Sequence, residues 1–336
     1  MTGRLVGGLA LLAALALVPQ LASPFWVFVL ATAVAYMVAA LSVNVLLGQA
    51  GMVGLFPAAF VGLGAYFAAI VAGETGSWVL AVLAAAAVCL AVGAVVGVTG
   101  TRLRGMAFGI VTLAFALAME AVAFRHGFLG IDPAFGATLD RPVLLGVDFI
   151  DDVSVYYLVL AVAVVTWAVV ALHERARPGR TWRAIRDDEV AAMTLGARVG
   201  LYRIWAAALS GAVGGVAGAL FITVQGQANV ESFTTFASLL IFAAAMTAGT
   251  RSVAGAVLAG LLLAALPELL IELAITGKVV PLLFAFGVLT SLKGHDGIVG
   301  GVRHAASALR ARAGRRGGRG IGGPPRPAVE GGGADG

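Results

Sequence analysis

The charged side chains that could do chemistry are concentrated in one polar segment, residues 178–196, between two long apolar stretches. Pro178 and Gly196 are typical of helix boundaries, and Thr181 is a possible N-cap. Four apolar residues fall at spacings that share one helix face: Trp182, Ile185, Ala192 and Leu195. The remaining faces carry charge: Arg180, Arg183, Arg186, Asp187, Asp188 and Glu189. The pattern predicts an amphipathic helix over about 180–196 that docks to a partner protein. The alternative is a solvated loop with positive charges.

Other kinds of chemistry have no residues to perform them. The chain lacks a G-x-x-x-x-G-K-[ST] phosphate loop, its four histidines lack metal-ligand spacing, and no nucleophile is paired with a base. The acids Glu120, Glu268 and Glu272 lie near the outer ends of apolar stretches, so they do not require an intramembrane ion site. The sequence therefore predicts no enzyme activity, no metal and no cofactor. A transporter of this composition would take its energy from a partner.

The elements that carry this segment are apolar. Of 336 residues, 60% are hydrophobic and 12% are charged, whereas soluble domains carry about a quarter charged residues. The sequence predicts an all-α polytopic membrane protein with about ten transmembrane helices, or at least eight. The candidate spans are 4–21, 25–47, 50–72, 78–100, 105–125, 154–173, 202–224, 234–249, 252–275 and 279–293. Residues 4–21 also resemble a signal peptide, but a weak cleavage site favours a retained first span.

Positive charge predicts the orientation. If spans alternate from a cytoplasmic N-terminus, 19 of the 22 Lys and Arg residues lie inside, and only Arg125, Arg141 and Lys278 lie outside. This distribution follows the positive-inside rule, so both termini and the polar segment are predicted to be cytoplasmic. The net charge of +5 then reflects membrane topology rather than nucleic-acid binding. Residues 1–300 form the predicted membrane domain, and 301–336 form a disordered tail rich in Arg, Gly and Pro.

Two further patterns lie within the apolar stretches. Asn44, Gln49 and Pro57 fall at membrane depth among several glycines, and a broken helix of this kind is predicted to line a translocation pathway. The alternative is a turn between two spans with both amides at the interface. Overlapping G-x-x-x-G pairs predict close helix packing. These pairs are Gly211/Gly215 and Gly214/Gly218.

The polar segment resembles the cytoplasmic coupling segment of branched-chain amino-acid ABC permeases, in Arg183-Ala-Ile-Arg186-Asp-Asp-Glu189 and the E-A-A…G pattern that ends at Gly196. One residue is inserted after that Glu, and the later Leu-Pro is absent. Residues 41–66, 102–115 and 210–233 also resemble elements of this family. The resemblance covers roughly residues 40–300 and is to the LivM-type permeases. The outer loop after Phe124 lacks the usual Thr-Gly-Gly run, and residues 294–300 depart from the usual P-x-G ending.

This resemblance implies a bacterial inner-membrane importer for branched-chain or similar hydrophobic amino acids. The implied partners are a sister permease, two ABC ATPase subunits and a soluble extracytoplasmic substrate-binding protein. The residues implied to couple to the ATPase are Arg183, Arg186, Asp188, Glu189, Ala192 and Gly196. The acidic outer loop, residues 125–153, either meets the binding protein or is simply solvated. A urea or short-chain amide importer and, in another class, an ion-coupled carrier working alone stay open; a membrane enzyme or scaffold finds no catalytic cluster.

Overall fold

A computed structural model describes residues 18–20, 23–103, 105–127, 136–144, 147–149, 151–273, 279–292 and 297–301. Its helices are α1 Pro24–Val43, α2 Pro57–Thr75, α3 Trp78–Arg102, α4 Met106–Ala118, α5 Asp152–Arg175, α6 Arg177–Asp187, α7 Glu189–Thr194, α8 Val199–Gln225, α9 Thr235–Ala248, α10 Val253–Glu272 and α11 Val279–Leu292. Two π-helices extend α1 and α4: π1 Asn44–Gln49 and π2 Met119–Phe124. Short 3-10 turns lie at Val18–Gln20 and Val230–Phe233.

The predicted all-α membrane architecture is confirmed. Among the described residues, seven helices are long and apolar enough to cross a membrane, counting π1 with α1 and π2 with α4. The predicted spans 234–249 and 279–293 correspond to α9 and α11, which have 14 residues each and fall short of the ~20 needed for a straight crossing. The predicted first span, 4–21, lies outside the described residues except for its last turn, as does the predicted tail beyond Gly301.

Local sequence sets where these helices begin. Pro24 and Pro57 occupy the first turns of α1 and α2, where proline's missing N–H costs no hydrogen bond. Side-chain caps open three others. Ser77, Thr234 and Ser252 accept hydrogen bonds from backbone amides in the first turns of α3, α9 and α10.

Helix α8 lies at the centre and packs against α3, α2 and α1. The predicted packing glycines face these neighbours. A Cβ on Gly211 or Gly215 would lie 2.4 Å from Cys89 O or 2.6 Å from Ala85 O of α3. On the α2 side, a Cβ on Gly214 would meet Phe60 at 2.8 Å, and one on Gly218 would lie 1.9 Å from Val61 O. The glycines thus permit backbone approach that no side chain would allow.

The end of the molecule opposite the polar segment contains short strands that the sequence did not predict. Strand β1 Ala137–Thr138 pairs antiparallel with β4 Gln227–Ala228, next to the end of α8. Strands β2 Val143–Leu144 and β3 Val147–Asp148 form a second antiparallel pair. Part of the predicted outer loop is therefore attached to the helices. Its residues 128–135, which include Asp132, lie outside the described residues.

Candidate coupling site

The polar segment is helical, but it consists of two helices rather than the single predicted one. Asp188 adopts an extended conformation between α6 and α7, and its side chain accepts hydrogen bonds from Val190 N at 2.9 Å and Ala191 N at 3.0 Å. Aspartate is a preferred N-cap, so it opens α7 and ends α6. Thr181 is not the predicted cap, because it lies inside α6 and donates to Arg177 O. Gly196 follows α7 with φ +84°, a conformation that favours glycine.

One face of both helices packs against the membrane helices. Trp182 is 1% exposed and donates from Nε1 to Tyr202 O of α8 at 2.8 Å. Ile185 and Ala192 are also buried and pack with Val199. Leu195, which was predicted to share this face, is 86% exposed instead. The predicted face continues through α7 as far as Ala192, but α7 ends at Thr194, so Leu195 lies beyond the helix.

Arg183 and Arg186 point toward the ends of membrane helices. Arg183 Nη1 lies 3.1 Å from Glu174 O in the last turn of α5 and 3.4 Å from Gln49 Oε1. Arg186 donates to Gly48 O in π1 and pairs with Asp187 at 3.2 Å. Late carbonyls of a helix lack intrahelical donors and lie at the negative end of its dipole. Guanidinium groups therefore suit these positions.

Glu189 also faces inward. Its Oε2 lies 2.9 Å from Arg203 Nη2 of α8, and the side chains are only 19% and 13% exposed. Arg203 Nη1 donates to Gly100 O near the end of α3 at 3.3 Å. From the sequence, Arg203 was predicted only to be one of the 19 cytoplasmic Lys and Arg residues. The available signal was its position, one turn into an apolar helix, where a lone arginine needs a partner.

The outward surface of the segment carries exposed apolar side chains beside exposed charged ones. Val190, Met193 and Leu195 are 66%, 45% and 86% exposed. An open groove of about 770 Å³, lined in part by Leu195, runs between the segment and the start of α8. Its lining includes Arg180, Thr181, Ala184, Leu195, Arg198 and Trp205. Exposed apolar side chains next to charged ones are typical of a protein-binding surface.

The predicted broken helix adjoins the polar segment. The chain breaks after π1, turns at Gly51 with φ +69°, and re-enters as α2 at Pro57. Asn44 is 4% exposed and donates to Ser252 O at 3.3 Å, and its buried Oδ1 has no hydrogen-bond partner among the described residues. Gln49 meets Arg183, whereas Pro57 lies at the start of α2, away from those contacts. Gln49 thus adjoins the segment, Asn44 contacts the loop between α9 and α10, and Pro57 marks the re-entry.

These contacts place the carboxyl ends of π1, α3 and α5, the loop between α9 and α10, and the polar segment at one end of the molecule. Comparison with known proteins identifies the family of the chain. A family model described as the permease component of branched-chain amino acid transport systems matches residues 25–290. The chain belongs to this family.

This permease-family chain is 30% identical over 260 residues to the high-affinity branched-chain amino acid transport system permease protein LivM of Salmonella typhimurium. It is 29% identical to the Escherichia coli protein of the same name. Each match covers 70% of this chain and 61% of the relative. No solved structure matches the chain. Family membership and the apolar helices make it a multi-pass protein of the inner membrane.

Proposed function

We propose that this chain is the transmembrane subunit of an ATP-binding-cassette importer that passes branched-chain amino acids into the cytoplasm. The family match over residues 25–290 carries this proposal. The proposed partners are a sister permease, two ATPase subunits and an extracytoplasmic substrate-binding protein. ATP hydrolysis belongs to the partners, since this sequence has no phosphate loop.

The polar segment is the proposed docking site for an ATPase subunit. Among the residues that the structure describes, nine arginines lie at the same end of the molecule as the polar segment, and only Arg125 and Arg141 lie at the other end. By the positive-inside rule, this distribution favours a cytoplasmic location for the segment. The docking surface is assigned to the exposed apolar residues Val190, Met193 and Leu195. Glu189, with Asp188 as the cap and Ala192 in the packed face, holds that surface in place, whereas Arg183 and Arg186 attach the preceding helix α6 to α5 and π1.

The broken helix is the proposed pathway element. Irregular backbone at membrane depth requires burial or a lined cavity, and here the buried Oδ1 of Asn44 is free to accept a hydrogen bond. A movement that opens this break would expose an amide to a passing zwitterion. Gln49 and Pro57 flank the break on either side.

Reconstitution tests the proposal. The tagged chain is purified from its native host with the subunits that accompany it, and the complex is placed in proteoliposomes with its binding protein. We expect ATP-dependent uptake of radiolabelled leucine, and loss of the ATPase subunits from a Leu195→Asp complex. Leu80→Asp, at an exposed leucine in the first turn of α3 at the opposite end of the molecule, serves as the matched control and should retain the subunits. Uptake of urea instead of leucine, or uptake driven by an ion gradient without ATP, would reject this function.

A further inference from the structure

Two arginines of the polar segment and one of α8 share an unusual set of partners. Arg183, Arg186 and Arg203 each donate to a backbone carbonyl at the carboxyl end of a different membrane span. Those carbonyls belong to Glu174 in α5, Gly48 in π1 and Gly100 in α3. Each contact joins a positive group to the negative end of a helix, where charge-assisted hydrogen bonds are strong. The segment is therefore attached directly to α5 and π1 and, through the Glu189–Arg203 pair, to α3, and these spans end on the same side.

The attachment divides at Asp188. Helix α6, before the break, holds the ends of α5 and π1 through Arg183 and Arg186. Helix α7, after the break, holds the ends of α8 and α3 through Glu189 and Arg203. A force applied to the outward surface of this segment would reach α5 and π1 through α6 and α3 through α7. It would reach α8 through both helices, because Trp182 also joins α6 to α8.

The contact between Arg186 and π1 connects the polar segment to the loop between α9 and α10. Gly48, whose carbonyl meets Arg186, is so close to the loop between α9 and α10 that a Cβ would lie 2.1 Å from Thr250 O. Asn44, one turn earlier, donates to Ser252 O in the same loop. Movement of Arg186 would therefore shift the broken helix and this loop together.

We infer that Arg183, Arg186 and Arg203 are positioning residues that transmit movement of the docked segment to the spans, and that Arg186 transmits it to the broken helix. They do this through intrachain contacts, without touching the ATPase. The inference rests on the proposed function and assigns the step between docking and transport. It requires that α6 and π1 move as one body during the cycle.

The first test separates transport from ATP hydrolysis in the reconstituted complex. Arg186→Ala should assemble and hydrolyse ATP at close to the normal rate, while leucine uptake per ATP falls at least about tenfold, as loss of a charge-assisted hydrogen bond allows. Arg186→Lys keeps a cation and should restore part of that ratio. Arg177→Ala removes an exposed arginine from the start of α6 and should leave the ratio unchanged. An unchanged ratio in Arg186→Ala, or a parallel loss of ATP hydrolysis, would overturn the inference.

The second test covers the case in which Arg186→Ala fails to assemble. In a Cys89→Ala background, Gln49→Cys and Arg183→Cys replace two residues whose side chains lie 3.4 Å apart. A short bismaleimide linker between them should raise uptake above that of the unlinked variant, because it restores the attachment of α6 to π1. Inhibition by the linker would show that the two elements must separate. Absence of ATP-dependent uptake by the unaltered complex would instead reject the proposed function itself.

Discussion

Glu189 pairs with Arg203 inside the molecule, although its sequence context predicts an exposed side chain. The glutamate lies in a charged, apparently exposed stretch of sequence, but its carboxylate is 2.9 Å from Arg203 and both side chains are largely buried. Removing one partner of such a pair leaves the other charge poorly solvated. The pair therefore contributes to the attachment of α7 to α8. Its contribution to the free energy of unfolding can be measured separately from any role in docking.

A double-mutant cycle measures that contribution. We expect Glu189→Gln and Arg203→Gln each to lower the free energy of unfolding in mixed micelles by about 1–3 kcal/mol, since partial exposure reduces the penalty of a fully buried charge. The double variant should cost clearly less than the sum of the two. Arg141 and Asp152 form the matched control, because their side chains are 47% and 39% exposed and should couple by less than about 1 kcal/mol. Strict additivity at Glu189 and Arg203 would contradict the pairing.

At the scale of elements, the packing of α8 on α2 depends on backbone contact. A Cβ at position 218 would lie 1.9 Å from Val61 O and 2.7 Å from Ala65 N, which belong to the backbone and cannot rotate away. Gly218→Ala should therefore lower the free energy of unfolding by about 1–3 kcal/mol, as overpacking does. Gly73→Ala is the control within α2, because a Cβ there meets nothing within 4 Å. That variant should be neutral or slightly stabilising. Equal effects of the two alanines would disprove the close approach.

Some positions of helices and side chains could be predicted from the sequence, and others could not. Long apolar runs predicted the positions of the seven described spanning helices, and glycine spacing predicted that α8 packs closely against its neighbours. The break at Asp188 was not predicted, because the helical periodicity of the apolar residues continues through it. The outward position of Leu195 was not predicted because α7 ends at Thr194, before the predicted helix boundary at 196. The inward position of Glu189 depends on Arg203, 14 residues later, and a contact between separate helices leaves no periodic signal.

For the whole molecule, the arrangement of span ends predicts which surfaces face each side of the membrane. Helices α1 with π1, α3 and α5 end beside the polar segment, so α2, which runs the other way, ends at the opposite surface. The arginines are concentrated at the first surface, and the translocation machinery retains such charge in the cytoplasm. The native Cys89 is buried and 0% exposed, so it should not interfere with thiol labelling.

Cysteines at the two surfaces test this orientation in cells that make the chain without ATPase subunits. We expect a membrane-impermeant maleimide to label Glu74→Cys, next to the end of α2, in intact spheroplasts. Ala176→Cys, between α5 and α6, should react only after the membrane is permeabilised. Both positions are exposed, so differences in labelling reflect the side of the membrane rather than burial. Labelling of Ala176→Cys before permeabilisation would reverse the orientation, and the polar segment would then face away from any cytoplasmic ATPase.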